Sequence, residues 1–485
     1  MNTQEWVINQ VRKIDFKKKF VEDSQSGTSY SYEEFFKCVL CINNYLDTNC
    51  EAQKIIPVLE NSMELFMLYF CCMLGNRVIV PIDPQKGTEE IEKLVKQTRD
   101  DAIVVSSQQD EIFRVNIYDE ELNLEKSIQE IVVDKLANTN FEKEYLISFT
   151  SGTSGNSKGV KHSLNDMFST IRAFDSVHPI KNGRVFGHLF PMTYMAGILN
   201  SILKPFIFAD EIIILGRFDV KMALKFWSTI EKYNISLLWL NPTMLNMIYN
   251  TDRGNKGKGY CEKNEMQIFV GTAPLTNQLK TMFEDKYGVN LYVSYGLTEL
   301  LFLSVDTDMT HGINDGNVGE ILPGVKFANP SGEALVDVDW MFSGYVNENT
   351  ADYFEGDFYK TGDLIEIVDK QLYIVGRKKN LIIKGGMNIS PVSIENEILK
   401  LEQIKDVAVF GERSSNEEKI VCVYVLSGMV CEKDIQKIIN QILYDKLGKA
   451  YTIDEFYVTK ELVCNINGKK DIEKIKESIR KKTCS

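Results

Sequence analysis

Residues 150–159 read Thr-Ser-Gly-Thr-Ser-Gly-Asn-Ser-Lys-Gly, five small hydroxyl side chains and three glycines around one cation, Lys158. Glycines let successive backbone N–H groups approach an anion, and the hydroxyls and the ammonium add donors, so this composition suits phosphate. The elements that must position the loop are legible on either side. Tyr145 to Phe149 is apolar enough for a buried strand, whereas Leu164, Met167, Phe168, Ile171 and Phe174 recur at helical spacing. Ser163 with Asp166 three places on is a capping box that marks the helix start. Residues 145–174 therefore read as strand, loop and helix. A Walker A loop is excluded, because Ser157 precedes the lysine and Gly159 follows it where a hydroxyl would bind magnesium.

A chain of 485 residues is long for one core, so two or three domains are expected, one of them large. The net charge of −13 argues against a nucleic-acid partner, which needs clustered positive charge to displace counterions. Ten cysteines are scattered without metal-site spacing and there are only four histidines, so the thiols read as reduced and the protein as cytoplasmic. The N-terminal stretch carries Glu5 and no apolar core, which does not suit a signal peptide. The most apolar run, Met195 to Leu215, is broken by Lys204, Pro205, Asp210 and Glu211, so no membrane span is expected.

Taken in order, Ser31 to Glu34 opens a helix, and Ile55 to Leu59, Met63 to Leu74 and Val78 to Ile82 form a βαβ unit. A helix near Glu89 to Thr98 and a strand at Ala102 to Ser106 extend the alternation, which predicts an α/β fold with a parallel sheet. Gln108 to Lys143 reads as surface connection, Phe206 to Leu215 as a strand, and Asp252 to Gly259 as an exposed loop. The strand Met266 to Val270 runs into Gly271, Thr272, Ala273 and Pro274, and the strand Asn290 to Ser294 delivers Tyr295, Gly296, Leu297, Thr298 and Glu299. Because ligands bind at the carboxyl ends of parallel strands, these two loops and the phosphate loop are expected to share one edge. Later strands at Gly319 to Pro323, Phe358 to Leu364 and Leu372 to Val375 read as antiparallel, a smaller β-subdomain. The last hundred residues have their own core, with a strand at Ile420 to Leu426 and helices at Glu432 to Leu447 and Ile472 to Lys481.

Each motif alone is short, but SGTSG, GTAPL, YGLTE, YKTGDL, GRKKNLIIKGGMNISPVSIE and NGK follow one another from residue 150 to 469. In that order they resemble the adenylate-forming superfamily of acyl-CoA synthetases, aryl-CoA ligases, peptide-synthetase adenylation domains and firefly luciferase. The usual phosphate loop there is TSGTTGxPKG, so Ser154 and Ser157 are departures, and loss of the proline implies a more flexible loop. The resemblance implies that Thr150, Ser151, Gly152, Thr153 and Lys158 hold the β and γ phosphates of ATP. It implies further that Gly271, Thr272, Ala273 and Pro274 line the adenine, with Tyr295 on its other face beside Gly296. Thr298 would contact the α phosphate, Glu299 would ligate Mg²⁺, and Asp363, supported by Arg377, would accept the ribose hydroxyls. Lys469 would bridge substrate carboxylate and phosphate.

The implied reaction is attack of a carboxylate on the α phosphorus, giving acyl-AMP and pyrophosphate, after which a thiol displaces AMP. The resemblance also implies a hinge at Lys379, dividing an N-terminal domain (residues 1–378) from a mobile α+β C-terminal domain (379–485) that carries Lys469. The acid, a small molecule, would lie against Tyr194, Met195 and Gly197, with Tyr194 where many ligases have histidine. No aspartate stands there to bind an α-amine, which favours a fatty, aryl or other amine-free acid. CoA is the expected thiol, the phosphopantetheine arm of an acyl-carrier protein is the alternative, and a non-catalytic nucleotide-binding protein is the reading from another class.

Overall fold

The computed structural model describes residues 1–106, 113, 126–150, 157–181, 183–208, 211–254, 256–307, 316–384, 387–414, 417–428, 431–463 and 470–483. The first sheet begins with three parallel strands, β1 (Lys54–Pro57), β2 (Val78–Ile79) and β3 (Ala102–Val105). The helix Met63–Leu74 packs against them, and all but one of its residues are buried, which suits a segment apolar on every face. Next to β2 lies β4 (Glu144–Thr150), and antiparallel to β4 runs β5 (Lys158–Ser163), with Thr150 opposite Lys158. Only then does helix α1 (Leu164–Val177) begin, capped as expected by Ser163, whose hydroxyl accepts from the Asp166 N–H while the Asp166 carboxylate accepts from the Ser163 N–H.

That additional strand corrects the strand–loop–helix reading. Residues 151–156 lie outside the described residues; their flanks, β4 and β5, are antiparallel partners, and α1 starts at the end of β5 remote from Lys158. Lys158 to Ser163 shows no apolar alternation, because Val160 is its one large apolar residue and its burial does not alternate, so the sequence carries no strand signal there.

Among the described residues the larger sheet has fourteen strands. Its parallel half holds β6 (Val185–His188), β7 (Glu211–Ile214), β8 (Leu237–Leu240), β9 (Gln267–Val270) and β10 (Leu291–Leu297). At β10 the sheet changes sense, because β11 (Leu301–Val305) and β12 (Asn317–Ile321) continue it antiparallel. One late segment, β13 (Gly344–Tyr345), leaves this sheet and pairs with β5 of the other, Gly344 opposite Lys161. The strands β14 (Phe358–Val368) and β15 (Gln371–Arg377) return to the large sheet and set Asp363 directly across from Arg377.

Other expectations are also corrected. Helices occupy Ile128–Asn138, inside the supposed surface connection, and Lys256–Asn264, which takes over the second half of the supposed loop Asp252 to Gly259. The expected strand Phe206 to Leu215 is the helix Lys204–Phe208 followed by β7. That helix continues a π-helix, Ala196–Leu203, and seats Lys204 in the core, its ammonium 4.3 Å from the centre of the Phe174 ring. Cation–π contact offsets part of the cost of burial, and burial still pulls this lysine down to about 7, against the field of Asp175. No helix among the described residues is long and apolar enough to cross a membrane.

Beyond Arg377, a three-residue turn, Lys378–Asn380, leads to a second core built on Ile382, Ile389, Val407, Ile420, Tyr424 and Ile439, separate from the main one. Its sheet comprises Ile404–Ser414, Glu417–Leu426 and Glu455–Thr459, with the helix Glu432–Leu447 matching its expected bounds. The chain is thus α/β, two large sheets with helices and a small α+β unit. Cys38, Cys41, Cys50, Cys71, Cys72, Cys261, Cys422 and Cys431 are free thiols.

Candidate active site

The three motif loops do not share one edge. The loop after β4 belongs to the smaller sheet and those after β9 and β10 to the larger. Periodicity identifies parallel strands but carries no record of which sheet each joins. Side chains crossing between the sheets tie β5 and β13 to the segment that carries Thr298 and Glu299. His162, buried on β5, donates from Nε2 to the Thr298 carbonyl at 2.6 Å. Tyr345, on β13, donates to Glu299 Oε1 at 2.8 Å and shares a 2.8 Å hydrogen bond with Tyr359. Burial, and then the neighbouring Glu299, push the Tyr345 hydroxyl far above its ordinary pKa, so it stays protonated as a donor.

Thr298 and Glu299 occupy the tip of the β10–β11 hairpin, two residues past a bulge at Tyr295 and Gly296. Glycine at 296 is required by close approach: a Cβ there would lie 1.9 Å from the Leu301 carbonyl oxygen, a backbone atom that cannot step aside. Gly296→Ala is accordingly expected to cost about 3 kcal/mol through overpacking and to displace the tip. Denaturant unfolding should show the loss in stability; a variant as stable as the parent would contradict the fitted bulge.

Asp363 is buried, 3% exposed, and both its oxygens are engaged. Arg377 Nε donates to Oδ1, while Oδ2 accepts from the Tyr295 hydroxyl at 2.6 Å and from Arg377 Nη2 at 3.4 Å. A carboxylate has roughly four lone-pair sites, so capacity for a further donor remains. The expected stacking residue Tyr295 is therefore also tied by its hydroxyl to the expected ribose ligand. A Cβ on Gly271 would meet the Ser294 hydroxyl at 3.0 Å and the Trp239 indole nitrogen at 3.4 Å, so the position leaves little room for a side chain. Thr272 beside it has φ +69°, a left-handed conformation that is strained for a β-branched residue. Its hydroxyl is buried with no hydrogen-bond partner among the described residues, a polar atom left for a ligand to satisfy.

Lys158, half of the phosphate chemistry read from the sequence, is enclosed. Its ammonium lies 3.0 Å from Glu348 Oε2, hydrogen-bonds the Tyr353 hydroxyl, and sits 4.1 Å from the centre of the Tyr353 ring. Burial opposes its charge, but Tyr353 and Glu348 outweigh burial and hold it above the ordinary lysine range. Ser157 donates to Glu90 at 3.1 Å, a tether that the comparison with proline did not anticipate.

The segment nominated for the acid is clamped from the smaller sheet. Asn61, just after β1, donates to the Phe190 carbonyl at 2.7 Å and accepts from the Met192 N–H at 2.8 Å. Gly197 has room for no side chain, since a Cβ would meet the Pro191 oxygen at 1.9 Å, and its carbonyl accepts from buried His188 at 3.1 Å. Burial holds His188 down to about 4, so it is neutral near pH 7. Tyr194 and the N-cap residue Met195 immediately precede the π-helix, a wide turn that recurs at functional sites. Ser151, Gly152, Thr153 and Lys469 lie outside the described residues. Sequence reasoning missed Asn61, His162, Tyr345, Glu348, Tyr353 and Tyr359, which carry no motif and gain their place from pairing across sheets.

The family model described as AMP-binding enzyme matches residues 9–345, and that described as AMP-binding enzyme C-terminal domain matches residues 393–469. Together they define an AMP-binding enzyme with its C-terminal domain. The chain belongs to the AMP-binding enzyme family. Acyl-CoA synthetase 7 of Caenorhabditis elegans is 29% identical over 366 residues, covering 67% of this chain and 63% of its own length. The 2-succinylbenzoate–CoA ligase of Staphylococcus epidermidis is 26% identical over 462 residues, covering 92% of this chain and 93% of its own. Among solved structures, ATP-bound MatB from Rhodopseudomonas palustris is similar in fold, with a TM-score of 0.78 at 20% identity over 99% of both chains.

Proposed function

We propose that this chain activates a small amine-free carboxylic acid with ATP and passes the acyl group to the thiol of CoA. The observation that supports the reading most is that Tyr345 links charged groups of the two sheets, its hydroxyl on Glu299 and its ring centre 5.1 Å from the Lys158 ammonium, while the charge of Glu299 reaches Arg377, the partner of Asp363. In the first step a carboxylate oxygen forms a bond to the α phosphorus while the bond to the β-phosphate oxygen breaks, and pyrophosphate leaves with that electron pair. The nucleophile is already ionised at neutral pH, so the chain needs no general base and its task is to align two anions and offset their charge. Lys158, with Thr150, Ser151, Gly152 and Thr153, would hold the β and γ phosphates; Thr298 and Lys469 would act at the α phosphate and the attacking carboxylate. Gly271, Thr272, Ala273, Pro274, Tyr295 and Gly296 would take the base, and Asp363 with Arg377 the ribose. In the second step a thiolate sulfur bonds to the acyl carbon, and the carbon–oxygen bond to AMP breaks.

Mg²⁺ fits the residues present in a restricted way. Among the described residues no three carboxylate, histidine or cysteine groups cluster to cage a metal. One carboxylate, Glu299, suits an ion that takes most of its ligands from phosphate and water, and bound there it would supply charge to offset the polyphosphate. Tyr345 and Tyr359 hold that carboxylate in place. The cytoplasm, a reducing compartment, suits the free thiols.

The test is pyrophosphate release with ATP and a panel of aliphatic, aryl and dicarboxylic acids, then thioester formation with CoA or a carrier protein added. Release that depends on both ATP and one class of acid is expected. No release with any acid would overturn the reading, and thioester formation only on the carrier would reassign the acceptor.

A further inference from the structure

The segment from Gly344 to Tyr353 touches both charged groups assigned to MgATP. Its first residues pair with β5 at the base of the phosphate loop, and the Val346 N–H donates to the Gly159 carbonyl at 2.8 Å. Asn349 then caps a short turn, Thr350–Tyr353, accepting from the Ala351 N–H at 3.1 Å. The turn sets Tyr353 against Glu348, hydroxyl to Oε2 at 3.1 Å, with Lys158 bonded to both. Tyr345 meanwhile holds Glu299. Lys158 is thus charge-paired with a protein carboxylate in the place where it would meet phosphate.

Resting on the function proposed above, we infer that Glu348 is a positioning residue that competes with polyphosphate for Lys158 and thereby limits how tightly ATP and pyrophosphate are held. An ammonium has three donors, so a phosphate oxygen can join Tyr353 and Glu348 without displacing them. Glu348 then stands beside the incoming anion and neutralises the cation that attracts it. Its carboxyl side chain is 35% exposed, so solvent screens the competition. The consequence is ready release: when pyrophosphate leaves, Lys158 keeps Glu348 as its charge partner. AMP lacks the β and γ phosphates and should not sense Glu348.

Glu348→Gln keeps the size and the hydrogen-bonding capacity but removes the charge. Calorimetric titration of the full chain should show MgATP and pyrophosphate binding about threefold to fivefold tighter, the range open to a partly screened ion pair. AMP affinity should be unchanged, and pyrophosphate should become a stronger inhibitor of acyl-AMP formation by the same factor. Tyr353→Phe, which removes a neutral partner, should not tighten either ligand. MgATP affinity equal to or weaker than that of the parent would overturn the inference while leaving the proposed function standing, as would equal tightening of AMP. A parent chain that binds neither MgATP nor pyrophosphate would overturn the proposed function and this inference with it.

Discussion

Lys469→Ala is expected to slow acyl-AMP formation by about two to three orders of magnitude, the usual cost of removing one preorganised charge aimed at a developing anion. Thioester formation from supplied acyl-AMP should be nearly unaffected, because the carboxylate and phosphate that Lys469 is assigned to bridge are already joined in that substrate. The two half-reactions are measured separately, by pyrophosphate release and by CoA consumption. The assignment comes from the NGK motif at residues 467–469. Equal loss in both half-reactions would remove it, since a lysine needed for folding or for general nucleotide affinity would depress both.

Lys379→Pro should divide the same two activities by another route. Lys379 is the middle of the turn between β15 and the second core, and among the described residues the Ser390 hydroxyl crosses the junction to donate to the Val375 carbonyl at 2.8 Å. If the C-terminal unit rotates there, breaking such a bond costs about 1 kcal/mol, which is compatible with motion between two arrangements. Proline would fix φ near −65°, remove one N–H and bar Lys378 from helical dihedrals, so the unit should be held in one arrangement. Thioester formation should fall at least about tenfold further than pyrophosphate exchange, with MgATP affinity nearly unchanged. Lys379→Ala, which removes only the side chain, should slow both steps little. A proline variant that folds and keeps both activities, or loses both in proportion, would refute a hinge at this residue.

Much of this was readable because the local rules and the tertiary outcome agree. The Ser163–Asp166 box, the helix Glu432–Leu447 and the strands that carry Gly271 and Tyr295 formed where periodicity and capping set them. Asp363 and Arg377, fourteen residues apart, are cross-strand partners in one hairpin, so the ribose candidates were separable from a turn motif only once the register was known. The sheet assignment was not readable. β5 is six residues with Lys161 and His162 on it, too polar to read as a strand, and the phosphate loop was therefore placed before a helix. Nor could spacing show that residues 344–345 complete a sheet begun near residue 54. Tyr345 and Glu348 matter because of that single long-range pairing, and no local pattern encodes it.

The same pairing sets a schedule for synthesis. The clasp on Lys158 arrives 183 residues after its strand partner Lys161, with Gly344. At the ribosome's pace of about 5–20 residues per second, the hairpin that bears the phosphate loop waits roughly 10–40 s with its outer edge unpaired. Lys161, a charged residue on that open edge, is the kind of side chain that discourages pairing with a foreign strand during the wait. Nucleotide therefore meets a finished pocket only after most of the chain has left the tunnel, so a truncated product that stops short of Gly344 would carry the phosphate motif and yet lack the partner that closes it.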